Sequence, residues 1–249
     1  MFVSYVELHA HSAFSFLDGA SSPQELVDAA ATQGHTHLAL TDHDGLCGSL
    51  EFAHAARDAG VVPITGAELT LDDGTHITLI ARTGSGYRNL CRLVTRAHAH
   101  TRDSRDRRAT DPALPAATLE AHADGLICLT GCLQRGHVSA PLRGGDPGEA
   151  RARLSRLRGW FGPGGVYVEI QNPLTRGGRA HARALASLGD VARVPVVATG
   201  NVHAHHPRRA LLQDAFVAIR HRLTLDASEG VRRGNRTAVL RSPADTAAA

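Results

Sequence analysis

Two histidines one residue apart, His9 and His11, close the apolar opening of the chain, and Asp18 follows after a short loop in ELHAHSAFSFLDG. Extended backbone puts alternate side chains on one side, so both imidazoles can grip one ion or two adjacent ones. The chain has 249 residues and 16 histidines, so such a pair also arises by chance and its company decides. That company is present: Asp42, His43 and Asp44, then Glu68, then Cys132 in LTGC, Gln171 and Asn172, and Asn201 and His203 in ATGNVH. Imidazole, carboxylate and thiolate together suit zinc, manganese or iron better than calcium or magnesium alone. Roughly eight ligands exceed the four of a closed structural zinc site, which implies more than one ion. Clustered dications lower the pKa of a bridging water, orient a phosphate and stabilise charge on the leaving oxygen, so the chemistry indicated is phosphate ester hydrolysis.

Elements must bring these distant positions together. Short apolar runs at residues 3–9, 37–41, 61–65, 76–81, 126–130, 166–170 and 194–199 read as strands, with helical segments between most of them. Ser22-Pro23-Gln24-Glu25 forms a capping box with proline in the first turn, and Gly34 closes that helix. Asp146-Pro147-Gly148-Glu149 repeats the device before a helix ending near Trp160; further helices are expected from about Leu46 to Gly60 and from Gly177 to Ala192. Seven strands alternating with helices predict an α/β fold with a parallel sheet, closed as a barrel. In such a barrel the downstream strand ends meet on one face, which is where these folds build sites. The metal-capable residues sit at those ends. Two do not declare themselves: His76 starts a strand and reads as half-exposed, and Cys132 reads as a small buried hydrophobe, as Cys128 does.

Composition restrains other readings. The formal charge is +3 and every one of the 27 basic residues is arginine, a compositional bias that makes the basic balance weak evidence for DNA binding. The segment 102–108, RDSRDRR, reads as a solvated loop. Four cysteines form no CxxC pair and no secretory signal precedes them, so a reducing cytoplasm is expected. No window reaches the apolar length of about eighteen residues that a membrane span needs.

ELHAHSAFSFLDGAS, LALTDHDGL, ITGAEL, THITLIA, LTGC and VATGNVH resemble, in order, the motifs of the PHP (polymerase and histidinol phosphatase) domain family, over nearly the whole chain. SFLDGAS, GYRNLCRLV and VYVEIQ are closest to the N-terminal PHP domain of bacterial C-family DNA polymerases, the DNA polymerase III alpha subunits. NVHAHHPRRALLQDAFVAIRHRLTLDAS resembles their error-prone, damage-tolerant branch. The resemblance implies a distorted (β/α)7 barrel whose metal site lies at the C-terminal ends of the strands. Up to three divalent ions (zinc, manganese or iron, with magnesium as a further option) would be held by His9, His11, Asp18, His43, Glu68, His76, Cys132 and His203. Asn201 would be a ninth, weaker ligand, with Asp42 and Asp44 supporting from behind. It further implies a phosphoesterase or 3′–5′ exonuclease acting on a DNA 3′ end, with polymerase core domains and other damage-tolerance proteins as partners, and no membrane.

The chain departs from the family at one ligand, reading Asn201-Val202-His203 where the pattern is Asp-x-His. An amide brings no negative charge, so weakened occupancy of one ion and low or absent activity are expected. Residues 1–225 are expected to form the barrel, and 226–249 a poorly ordered start of the following polymerase region whose tail, SPADTAAA, frays. The chain is then a fragment or a truncated stand-alone product, without the polymerase aspartates. Two other readings stand beside this one: a free-standing phosphatase acting on a small monoester such as histidinol phosphate, and a non-catalytic structural module of the polymerase.

Overall fold

The computed structural model describes residues 5–101 and 111–248; the RDSRDRR segment lies outside them. Six strands form one curled sheet in the order β1 (His37–Leu40), β2 (Val62–Thr70), β3 (His76–Ala81), β4 (Leu126–Leu129), β5 (Val166–Ile170) and β6 (Val196–Ala198). The predicted first strand is realised differently. Within the described part, residues 5–11 run extended but make only isolated bridges, Glu7 to Leu38 and Ala10 to Val202. Ala39 N–H donates to Glu7 O at 2.9 Å and His11 N–H to Val202 O at 2.8 Å, so this stretch joins the β1 edge to the chain leaving β6. The outcome is a distorted barrel.

The expectation of an all-parallel sheet is corrected. β1–β2, β4–β5 and β5–β6 pair parallel, but β3 is antiparallel to both β2 and β4. The reason is the link between β2 and β3, Leu71-Asp72-Asp73-Gly74-Thr75, which is too short for a crossover helix and turns through Gly74 at φ +75°. Thr70 therefore pairs with His76. In a reversed strand the first residue lies at the mouth, so His76 reaches the site from a strand start.

The helices expected from the sequence form, and others join them. α1 (Pro23–Thr32) carries the full Ser22–Glu25 capping box, α2 spans Ser49–Asp58, and α3 spans Gly84–Ala97 with Thr83 as its cap. After the short α4 (Ser139–Arg143), α5 (Pro147–Phe161) starts on Asp146, whose side chain accepts from Glu149 N–H. α6 (Gly178–Ala192) and α7 (Ala210–His221) follow. One core lies between β2–β5 and α3, α5 and α6, built from Leu69, Ile77, Leu79, Leu90, Leu154 and Val168, with Cys128 fully buried in it. A second packs α1 and α2 on β1 through Leu26, Leu38 and Phe52.

Leu240 belongs to that second core, Val239 pairs with Ala204, and Pro243–Ala248 forms a further helix, α8. Within residues 226–248, Val239 and Leu240 anchor the segment to the barrel, and most of the other side chains are exposed or half-buried. Burial of those two apolar side chains holds it, and Ser242 caps α8 by accepting from Asp245 N–H at 3.1 Å.

Candidate metal centre

His9 and His11 lie on the extended stretch between the two sheet edges and are fully buried. Glu68 comes from the end of β2, where it bridges to His43 just beyond β1, and His76 from the start of β3. His203 follows β6, and Asp18 ends the loop after His11. Eight predicted ligands and Asn201 thus converge from across the chain, most of them lining one cavity of about 360 Å³ at the barrel mouth.

Glu68 is the hub. Its Oε2 lies 3.5 Å from His9 Nε2, 3.5 Å from His11 Nε2 and 3.2 Å from His43 Nδ1, and its Oε1 lies 3.5 Å from His76 Nδ1. Asp18 Oδ2 is the second anion, 3.2 Å from His43 Nε2 and 3.5 Å from His203 Nε2. Among the described residues, three triads have donor atoms close enough to share an ion: His9/His11/Glu68, His43/Glu68/His76 and His11/His43/His203.

The surroundings decide which ring nitrogens carry protons. His9 Nδ1 donates to Glu169 Oε1 at 2.6 Å, which turns its Nε2 inward. Ser15 Oγ donates to Asp42 Oδ1 at 2.7 Å and so accepts from His11 Nδ1 at 3.3 Å, leaving His11 Nε2 as a lone pair. The two Nε2 atoms are 3.0 Å apart, an arrangement that needs a positive species at their meeting point. His203 Nδ1 donates to the Asn201 carbonyl at 2.8 Å, directing its Nε2 likewise.

Burial and neighbouring charges act unevenly on these rings. Burial disfavours charge on His9, but the Glu169 and Glu68 carboxylates outweigh it and hold the pKa well above the ordinary value; Glu68 and Asp18 raise His43 in the same way. Burial and the neighbouring histidines His203, His43 and His9 push His11 well below its usual value. Burial and Arg233 push His203 down to about 4. Although burial opposes it, the histidines around Glu68 and Asp18 hold both carboxyls well below the carboxylate range.

The residues fit divalent ions. Glu68 Oε1 and His76 Nδ1 are buried and have no hydrogen-bond partner, a costly state for polar atoms that a shared cation relieves. Oxygen and nitrogen donors of the right types surround it. Cys132 lines the cavity but joins none of the three triads; its Sγ accepts from Arg135 N–H at 3.4 Å, and burial pushes its thiol up to about 12.

Asp42 and Asp44 hold the frame. Asp42 accepts from Ser12 N–H at 2.6 Å, Ser12 Oγ at 2.7 Å and Ser15 Oγ, pinning the loop that carries His11. Asp44, at φ 49°, accepts from Thr70 N–H and Thr70 Oγ1, pinning the end of β2. Asn201 also sits in the left-handed region, at φ 49°, which asparagine tolerates better than most residues. Its Nδ2 donates weakly to Gln171 Oε1 at 3.4 Å, and its buried Oδ1 has no hydrogen-bond partner.

Several residues that sequence reasoning passed over complete the site. Glu169, buried in β5, orients His9 and accepts from Gln171 Nε2 and Thr199 Oγ1; a carboxylate within the apolar run VYVEI was the available signal. Glu7 accepts from Gly200 N–H and His9 N–H, and a Cβ on Gly200 would lie 2.4 Å from its Oε2. Arg220 and Arg233 reach Asp18, and nothing in their spacing marks them.

Residues 7–173 match the PHP domain. The chain is 38% identical over 255 residues to the error-prone DNA polymerase of Symbiobacterium thermophilum, covering 97% of this chain and 23% of that protein. It is 41% identical over 242 residues to the error-prone DNA polymerase of Mycobacterium tuberculosis, covering 92% of this chain and 21% of that protein. The chain therefore spans between a fifth and a quarter of the length of these relatives. Among solved structures, one described as a metal-dependent phosphoesterase from Bifidobacterium adolescentis shares the fold at TM-score 0.56 and 16% identity, over 80% of this chain and 87% of that one. An amidohydrolase from Chromobacterium violaceum does so at TM-score 0.54 and 17% identity, over 80% and 87% respectively. No helix among the described residues is long and apolar enough to cross a membrane. With the ordered motifs matched, the barrel formed and the donor residues gathered at its mouth, the chain belongs to the PHP domain family.

Proposed function

We propose that this chain is the N-terminal PHP module of an error-prone, DNA polymerase III alpha-type polymerase, and that it hydrolyses phosphodiesters at a DNA 3′ end with a multinuclear metal centre. The observation that carries the reading is the convergence of His9, His11, His43 and His76 on the one buried carboxylate of Glu68. These residues would hold the ions, with Asp18, His203 and Cys132 at the margins and Asn201 contributing no charge. Bound dications would supply hydroxide at neutral pH and electrostatic stabilisation of the leaving oxygen.

The protein's own contributions are positional. Glu169 fixes the His9 ring, and Asp42 fixes the His11 loop through Ser12 and Ser15, so the nitrogens are aimed before an ion arrives. Phe16 and Arg135 line the cavity with exposed side chains, and a DNA 3′ end would enter it. The polymerase core and other damage-tolerance proteins would be its partners in a cytoplasmic protein, and residues 226–248 would cap the barrel before that core begins.

Protein purified without chelator tests this, by metal analysis together with a 3′-labelled single strand and a small phosphate monoester as substrates. Bound metal with release of the 3′ nucleotide is the expected result. Hydrolysis of the monoester alone would favour a free-standing phosphatase. Bound metal with neither activity would favour a structural module, the reading to which the uncharged Asn201 lends support. Protein without metal sinks the hydrolase reading.

A further inference from the structure

The Asp18 end of the centre is furnished unlike the Glu68 end. Arg233 Nη2 lies 2.6 Å from His203 Nε2 and 3.9 Å from Asp18 Oδ1, and Arg220 Nη1 lies 3.5 Å from Asp18 Oδ2. His203 Nδ1 already gives its proton to the Asn201 carbonyl, so Arg233 is the donor and the Nε2 lone pair is in use. A guanidinium never loses its charge in a protein. The His-only triad among the described residues, His11/His43/His203, therefore has its third donor committed to a cation that belongs to the chain.

Arg233 is held in place. It follows the turn Glu229–Val231, beside Arg232, which pairs with Asp214 of α7 at 3.4 Å. Just downstream, Asn235 Nδ2 and Thr237 Oγ1 donate to the Pro173 carbonyl at 2.7 Å and 3.1 Å, and Val239 is buried beside Ala204. At the other end, the ion pairs of Glu68 among the described residues are all with histidines. Both remaining triads contain Glu68.

We propose that Arg233 is a built-in cation standing in for one metal ion, so that the centre of this chain takes two divalent ions, both on Glu68, and not three. The inference rests on the metal-centre reading above. A third dication at His203 would sit beside the Arg233 guanidinium, with Arg220 on the same Asp18 carboxylate, an amide at Asn201 where another anion would have helped, and Glu68 already shared by the other two ions. Repulsion at such distances in a partly buried site outweighs what one nitrogen donor returns.

The test is metal stoichiometry on the full chain, stripped and then dialysed against Zn²⁺ or Mn²⁺, with Co²⁺ absorption as a second readout. The unsubstituted chain should retain two equivalents, with any third bound roughly tenfold more weakly or worse. Arg233→Met keeps the apolar stem and removes the charge, and should gain a third equivalent and a new Co²⁺ band from His203; Arg233→Lys should stay at two. Three equivalents of like affinity in the unsubstituted chain overturn the inference and leave the hydrolase reading standing, and that measurement needs no variant to fold. A well-folded Arg233→Met that stays at two equivalents overturns it as well. No bound metal in any form overturns both readings.

Discussion

Among the described residues, buried histidines occur in two settings, and one of them has the makings of a metal site. At the mouth, His9, His11, His76 and His203 are buried with His43 beside them, their nitrogens aimed at one another and at two carboxylates. Elsewhere His35, His122 and His137 are buried as deeply, but each meets an ordinary partner: the Arg241 carbonyl, the Thr118 carbonyl and the Thr75 hydroxyl respectively. Carboxylates raise His9 and His43, whereas burial lowers His35, and burial with Arg153 lowers His137 to about 4. Burial therefore does not make a ligand. Convergence of ring nitrogens and a carboxylate on one point that a cation could occupy does.

The comparison breaks most visibly at Glu68. Glu68→Gln removes the anion common to two triads, and metal content should fall to background with activity down by about 100-fold or more; a variant that keeps its metal would refute the hub role. Glu169→Gln leaves every ligand in place but loosens His9, so metal affinity should fall by about 10- to 100-fold in equilibrium dialysis.

In the other set, His137 answers to pH and not to metal. His137 is held neutral in the folded chain, with a pKa of about 4, while the unfolded chain accepts its proton near 6.5. Its contribution to stability is therefore complete above pH 6.5 and lost as pH falls toward 4, on the order of 3 kcal/mol. His137→Gln should flatten that part of the pH profile in denaturant titrations without changing metal content. Smallest of all, Ser22→Ala removes the α1 cap at a cost of about 1 kcal/mol, read in the same titrations. A loss of metal in either variant would erase the distinction between the two settings.

Local signals carried a large part of this molecule. The capping residues of α1 and α5, the strand runs and the ordered HxH, DHD, GAEL and GNVH stretches depend on near neighbours, so they are legible along the chain. The β2–β3 hairpin was legible too, in the Asp73-Gly74 pair of LDDGTH, but alternation with helices suggested parallel strands instead. Reversal of β3 then explains why His76, the weakest-looking candidate, faces Glu68 at 3.5 Å.

What the sequence by itself determined is the set of donor types and the strand ends that carry them, because motif spacing and backbone alternation are properties of short segments. Only the tertiary structure decided that Glu68 is the hub, that Cys132 stands aside from the triads, that Glu169 aims His9 across 160 positions of chain, and that Arg220 and Arg233 reach Asp18. Those relations depend on ring nitrogens, carboxylates and guanidiniums meeting within a few ångströms at the barrel mouth. No local pattern encodes such a meeting, because the energy that sets it is the electrostatics of the assembled mouth.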